Sequence, residues 1–156
     1  MILGIDPGVT GGLALIKTNP ALNLIVAIDM PVTGKLVDPY ILHMEVKQMI
    51  NEHGIDTVVL EDVHSMPAQG VVSSFGFGRS KGVIEGVLAS NHLRVAYVSP
   101  AAWKRGMALK ADKNDSSRLA SRLFGTSEHW PLKKHNGRAE AALMAAYWHK
   151  ISLENR

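Results

Sequence analysis

The chain has 156 residues, 46% hydrophobic and 20% charged, which supports one core over residues 1–156 and excludes a largely disordered chain. The absence of cysteine excludes disulfide scaffolds, thiol nucleophiles, iron–sulfur clusters and cysteine-type zinc sites. The net charge of +3 conceals a split: residues 1–78 carry 3 basic and 8 acidic side chains, residues 79–138 carry 12 and 4, and residues 139–156 carry 2 and 2. The basic second half suits either a polyanionic partner or plain solvation.

Residues 1–6 (MILGID) are a short apolar run ending in an acid. They have no basic n-region, so the start does not read as a secretory signal. No apolar run reaches the roughly 18 residues of a membrane span, and the expectation is a soluble cytoplasmic protein. Residues 11–17 and 24–30 are further strand candidates, with Pro7-Gly8 and Gly11-Gly12 marking the first turn. Residues 39–53 place Tyr40, Ile41, Met44, Met49 and Ile50 at helical spacing, and Gly54 is a stop. Residues 57–60 (TVVL) form a buried-type strand, followed at once by Glu61. Residues 73–90 are glycine-rich with a helical tail at Val83, Ile84, Val87 and Leu88. Residues 94–98 are a fifth strand closed by Ser99-Pro100, and residues 112–124 and 137–150 are the last two helices. The order predicts an α/β fold, a mixed five-stranded sheet flanked by helices. Met44, Met49, Met107 and Met144 are expected as core fillers.

Asp6 and Glu61 each end an apolar strand, where α/β sheets open a crevice for ligands. Glu140 lies four residues after Asn136, so both share a helix face. Three carboxylates drawn together from distant segments call for a cation. Magnesium accepts such oxygen ligands, and two ions about 3.5–4 Å apart hydrolyse phosphodiesters. Each acid alone has a plainer reading as a cap, a turn residue or a surface charge. Strand alternation turns Asp62 to the opposite face from Glu61.

Residues 76–82 (GFGRSKG) are expected to precede a helix whose N-terminus attracts anions, bringing Arg79, Ser80 and Lys81 to a phosphate. The spacing is not that of a P-loop. Phe75 and Phe77 either stack on unpaired bases or belong to a core or dimer interface. Lys104, Arg105, Lys110 and Lys113 form one basic segment, and Lys133, Lys134 and Arg138 another, both suited to backbone contacts. Trp103 is expected to pack rather than stack, and His64 to be a loop histidine.

The segments ILGIDPGVTGGLAL, VVLEDVHSMPAQGVVSSFGFGRSKGVIEG, VSPAAWKRGM and KKHNGRAEAALMAAY, in this order, resemble the RuvC-type Holliday junction resolvases of the compact phage and prophage branch. The resemblance implies a ribonuclease H-like fold and a homodimer that nicks four-way or branched DNA. It also implies a dependence on Mg²⁺ or Mn²⁺, two ions per site. By position, Asp6 matches the first-strand acid, Glu61 the fourth-strand acid and Glu140 the second acid of the last helix; these three would be the metal ligands. The family's remaining acidic or histidine ligand falls one turn before Glu140, where this chain has Asn136 preceded by His135. Either His135 takes that role from a shifted helix start, or Asn136 replaces an Asp or His. An amide cannot supply a carboxylate's charge, so a catalytically silent junction binder is the alternative. An ATPase of the sugar-kinase and chaperone type shares the strand-end acids but needs a second lobe and a phosphate-binding repeat after Leu60.

Overall fold

The computed structural model describes residues 1–64, 70–109 and 115–155. Strands β1 (Ile2–Asp6), β2 (Gly12–Lys17) and β3 (Asn23–Asp29) form an antiparallel meander. A small hairpin, β4 (Val32–Thr33) and β5 (Leu36–Val37), leads into helix α1 (Pro39–His53). Strand β6 (Thr57–Glu61) then pairs parallel with β1, helix α2 (Val71–Ser90) crosses over, and β7 (Val95–Val98) pairs parallel with β6. Helices α3 (Pro100–Gly106), α4 (Asp115–Phe124) and α5 (Asn136–Glu154) complete the chain, with a 3-10 turn at Lys133–His135 leading into α5. The sheet order is β3-β2-β1-β6-β7, the expected mixed five-stranded sheet. Among the described residues no helix is long and apolar enough to cross a membrane.

Period-two alternation divides the core between the two sheet faces. Leu3, Ile5, Leu13, Leu15, Val58 and Leu60 point toward α1 and α2. Ile2, Ala14, Ile16 and Val59 point toward α5, which meets them with Ala141, Ala142, Ala145 and Ala146. These small side chains let α5 lie close to the sheet. At Gly4 an added Cβ would stand 1.9 Å from the Ala141 carbonyl oxygen, and at Gly137 it would stand 2.6 Å from the Gly11 backbone. The N-terminal turn of α5 is thereby seated on the β1–β2 turn.

Four local expectations change. The stretch 76–82 is no loop ahead of a helix but lies inside α2, which begins at Val71 after Gly70. Its peptide groups belong to the helix interior, so no anion-binding N-terminus exists there. Ser99-Pro100 does end a strand, but it also starts α3: the Ser99 hydroxyl accepts from the Ala102 amide and proline fits the first helical position. Helix α1 buries Leu42, Val46 and Met49, whereas Tyr40, Ile41 and Met44 are exposed. That helix carries two apolar stripes, and periodicity alone does not say which meets the sheet. Met44 is therefore no core filler, unlike Met49 and Met144. Helix α5 extends beyond the expected 137–150 at both ends.

Candidate active site

The register pairs Ile5 of β1 with Leu60 of β6, so Asp6 and Glu61 are the next pair along two adjacent parallel strands, about 4.8 Å apart in backbone. Asp6 follows the Ile2–Gly4 alternation and Glu61 follows Val59, so both project toward α5. Glu140 is on the first turn and a half of α5, the part held against the β1–β2 turn by Gly137. Three segments remote in sequence thus present carboxylates to one crevice at the carboxyl ends of the central strands.

The electrostatics agree with that placement. Asp6 is pushed well above the ordinary aspartate range, first by burial and then by the charges of Glu61 and Glu140, with Lys104 opposing. Glu61 is buried and its carboxyl is also raised; burial is the main cause and Glu140 adds to it, while a hydrogen bond from Trp103 and the charge of Lys104 pull it back. Desolvation and like charge act in the same direction here.

The carboxylates are held by specific donors. The Trp103 indole Nε1 donates to Glu61 Oε1 at 2.7 Å. Ser116 Oγ and Asn136 Nδ2 each donate to Glu140 Oε1 at 3.0 Å. Ser117 Oγ donates to Asn136 Oδ1 at 3.3 Å, and Lys104 Nζ is 3.9 Å from Glu140 Oε1. The donor set Asp6, Glu61 and Glu140 is all oxygen, anionic and short of compensating cations, which fits a hard divalent ion in chemistry. Among the described residues no three His, Asp or Glu side chains already stand at ligand spacing around one point; the fit rests on donor type and shared face.

The other candidates separate. Asn136, not His135, reaches Glu140. His135 is buried, and among the described residues its Nδ1 has no hydrogen-bond partner. Lys104 reaches toward the carboxylate crevice from the surface, its side chain still 45% exposed. Arg138 is committed elsewhere: its Nε and Nη2 grip Asp29 at 2.7 and 2.8 Å, and its Nη1 donates to the His129 carbonyl. Lys81 Nζ is 3.0 Å from Asp62 Oδ1. Ser80 is buried with its hydroxyl on the Gly76 carbonyl, leaving no surface for DNA. Arg79 is partly buried and Phe77 half-buried, whereas Phe75 is 75% exposed. Arg105, Lys133 and Lys134 are exposed. Lys110 and Lys113 lie outside the described residues. Asp62 faces away from the crevice, beside Lys81 and His64.

Sequence reasoning missed Trp103, Ser116 and Ser117 as parts of the site. Trp103 was the most legible of the three, because a fully buried indole needs an acceptor for its N–H. Its partner stands 42 residues away in the chain, so no local pattern names it.

The family model of the crossover junction endodeoxyribonuclease RuvC matches residues 2–141. No curated protein sequence matches the chain. Among solved structures, RuvC of T. thermophilus in complex with a Holliday junction substrate is similar at a TM-score of 0.72 and 16% identity, over 96% of this chain and 94% of that one. The yeast mitochondrial Holliday junction resolvase is similar at 0.63 and 13%, over 98% and 79%. The Fowlpox virus resolvase, in its complex with substrate Holliday junction DNA, follows at 0.53 and 16%, over 97% and 99%. At these identities the solved structures support the fold, the ribonuclease H-like arrangement expected from the resemblance.

Proposed function

The chain belongs to the family of the crossover junction endodeoxyribonuclease RuvC, and from that premise we propose that it resolves four-way or branched DNA as a homodimer, by metal-dependent hydrolysis of phosphodiesters at the Asp6–Glu61–Glu140 crevice. The observation that carries this reading is the convergence of three carboxylates on one face, with Asp6 raised by burial and by the charges of Glu61 and Glu140, and Glu61 raised mainly by burial. Asp6, Glu61 and Glu140 would hold Mg²⁺ or Mn²⁺, two ions per site. When bound, such ions supply a water of lowered pKa and stabilise the leaving oxygen.

The chain's own residues do the positioning. Trp103 fixes the direction of Glu61, and Ser116 with Asn136 fixes Glu140. Lys104 brings a cation into the crevice, where it can neutralise charge on a phosphate drawn in beside the carboxylates. Among the described residues, Arg105, Lys133 and Lys134 are the exposed cations of the expected contact set, suited to holding duplex arms by their backbones. Of the two expected aromatics, Phe75 and Phe77, Phe75 is the exposed one, available for stacking or for an interface.

The homodimer draws support from α2. Val71, Phe75, Gly78, Gly82 and Gly86 follow one another at three- and four-residue steps along one side of that helix, and all are exposed. An added Cβ at Gly78, Gly82 or Gly86 meets nothing within 4 Å, so this chain's own packing does not require those glycines. Each costs a helix about 1 kcal/mol relative to alanine. A second copy approaching closely along the stripe gives them a use. Gly82→Leu is expected to leave the fold intact and halve the mass measured by light scattering; an unchanged mass for a dimeric parent removes the stripe from the interface.

The main test is a gel assay of a synthetic four-way junction, a fork and plain duplex, with and without Mg²⁺ or Mn²⁺. Ion-dependent nicking of the branched substrates is expected. The second reading, a junction binder without cleavage, is favoured by one observation: the helix position one turn before Glu140 holds an amide that donates to Glu140. Asn136→Asp adds a fourth carboxylate and is expected to tighten metal binding by about 10-fold, the lower end of what partners around a metal contribute, and to speed nicking. If Asn136→Asp nicks no faster and His135→Ala is dead, the role belongs to His135.

A further inference from the structure

Beside the crevice, α4 and the segment 125–131 enclose an open groove of about 690 Å³ lined by Ser117, Arg118, Ser121, Arg122, Ser127 and Trp130 among others. None of its described lining residues is acidic. The groove is coupled to the site by hydrogen bonds. Trp130 Nε1 donates to Ser121 Oγ at 2.8 Å, Ser121 Oγ donates to the Ser117 carbonyl at 2.8 Å, and Ser117 Oγ donates to Asn136 Oδ1, whose amide holds Glu140. Trp130 is buried, so this floor is packed rather than loose. Above it, Arg118 and Arg122 stand one helical turn apart on the same side of α4, both substantially exposed. Arg118 touches the Asp115 carboxylate at 3.3 Å, an exposed pair of small energetic weight.

We propose that this groove holds the sugar–phosphate backbone of the DNA strand as it leaves the carboxylate crevice, with Arg118 and Arg122 on successive phosphates. The inference rests on the nuclease reading and extends it to a surface that the basic segments of the sequence did not single out. The paired guanidinium groups on the rim, with the Ser127 hydroxyl at the groove's edge, are the donors that backbone phosphates recruit, while Ser117 and Ser121 spend their protons holding the wall rigid; such contacts carry position rather than base sequence. Ser117 belongs both to the groove and to the hydrogen-bond chain that ends at Glu140. A phosphate held in the groove therefore sets the register of the strand over the carboxylates. The groove continues the site, whereas Lys133 and Lys134 lie outside that chain of contacts.

The test is fluorescence anisotropy of a labelled four-way junction titrated with the full chain at several salt concentrations, for the parent, Arg122→Ala and the Arg118→Ala/Arg122→Ala double variant. The slope of log binding constant against log salt is expected to become shallower by about 0.9 per arginine lost, about 1.8 for the double variant. The double variant with lysines in place of alanines is expected to recover most of the slope, because the charge is kept. Thermal unfolding with and without Mg²⁺ checks that fold and ion response survive. An unchanged salt slope in variants that fold and respond to Mg²⁺ overturns the groove. So does a loss of affinity that lysine does not recover in slope, since that marks lost packing. If the parent binds no junction at any salt, the nuclease reading fails first and the groove with it, an outcome distinct from the other two.

Discussion

Glu61 and Asp62 are neighbours in the chain, and their carboxyls are driven in opposite directions. Glu61 turns toward α5, where burial and Glu140 raise it. Asp62 turns the other way, where a hydrogen bond from Lys81 lowers it. Asp29 repeats the second pattern at the end of β3, held low by the two-pronged grip of Arg138. Asp6 repeats the first at the end of β1. Strand-end acids are therefore of two kinds in this molecule. Those facing away from the crevice, or at its outer edge, have a basic partner and tie elements together. Those inside it are crowded with one another, and the nearest cation, Lys104, is shared among them. A fold that only needed stability would have no use for the second arrangement.

The widest separation between the two kinds is expected in catalysis. Glu61→Gln keeps the size and an acceptor for the Trp103 N–H but removes the charge. Nicking should fall on the order of 1,000-fold, matching the several kcal/mol of charge stabilisation that a metal-bound site contributes, while junction binding persists. Asp62→Asn, one residue along, should nick normally and lose about 1 kcal/mol of stability, since its partly buried pair with Lys81 still touches solvent. Quantitative nicking assays beside anisotropy on the same preparations decide it. Parent-like cutting by Glu61→Gln would falsify the division of the acids.

A smaller effect is expected one layer out. Trp103→Phe retains the ring in the core and removes the N–H that holds Glu61 Oε1. The lost hydrogen bond to a charged group is worth roughly 1.5–3 kcal/mol in general, so a loss of rate of about 10- to 100-fold is expected at neutral pH. The signature is in the pH profile. Since the indole lowers the Glu61 carboxyl, its removal should move the acid limb of the rate profile to higher pH. A uniform drop in rate with no change of profile means that Trp103 serves packing alone.

Which parts of this were legible in advance follows from the range of each interaction. Asp6, Glu61 and the Asn136–Glu140 spacing were readable, because a strand run ending in an acid and a four-residue helical step are local patterns. The opposite facing of Asp62 followed from the same two-residue period. The partners that distinguish the two kinds of acid were not readable. Arg138 and Asp29 are 109 residues apart and Trp103 and Glu61 are 42 apart, and a single sequence carries no mark of either pairing. Arg138 consequently looked like a DNA-contact residue and Trp103 like filler. Glycines misled for another reason. Within residues 76–82 they weaken helix propensity enough to suggest a loop, but the neighbours Ser80, Ile84, Val87 and Leu88 bury themselves on the sheet and carry the whole segment into α2.

The least dramatic prediction separates the two kinds without any substrate. A carboxyl raised in the folded state binds its proton more tightly there than in the unfolded chain. Metal-free protein should therefore gain stability from Asp6 as pH falls from the raised value toward the ordinary 3.8. Asp6→Asn, which is never charged, should then melt higher than the parent at pH 7 without metal. The gap should close near pH 4, where the parent's Asp6 is itself protonated. Asp29 has the opposite sign: its lowered carboxyl contributes stability above 3.8 and loses it only as pH falls through the folded value. Asp29→Asn should melt lower at pH 7, by a few degrees at most, because half of that side chain is exposed and the pair is worth no more than about 1 kcal/mol. Added Mg²⁺ should raise the melting temperature of the parent and of Asp29→Asn, and do much less for Asp6→Asn. If the two substitutions shift melting in the same direction at neutral pH, crowding in the crevice is not what sets Asp6 apart, and the argument from raised carboxyls to a metal site loses its footing.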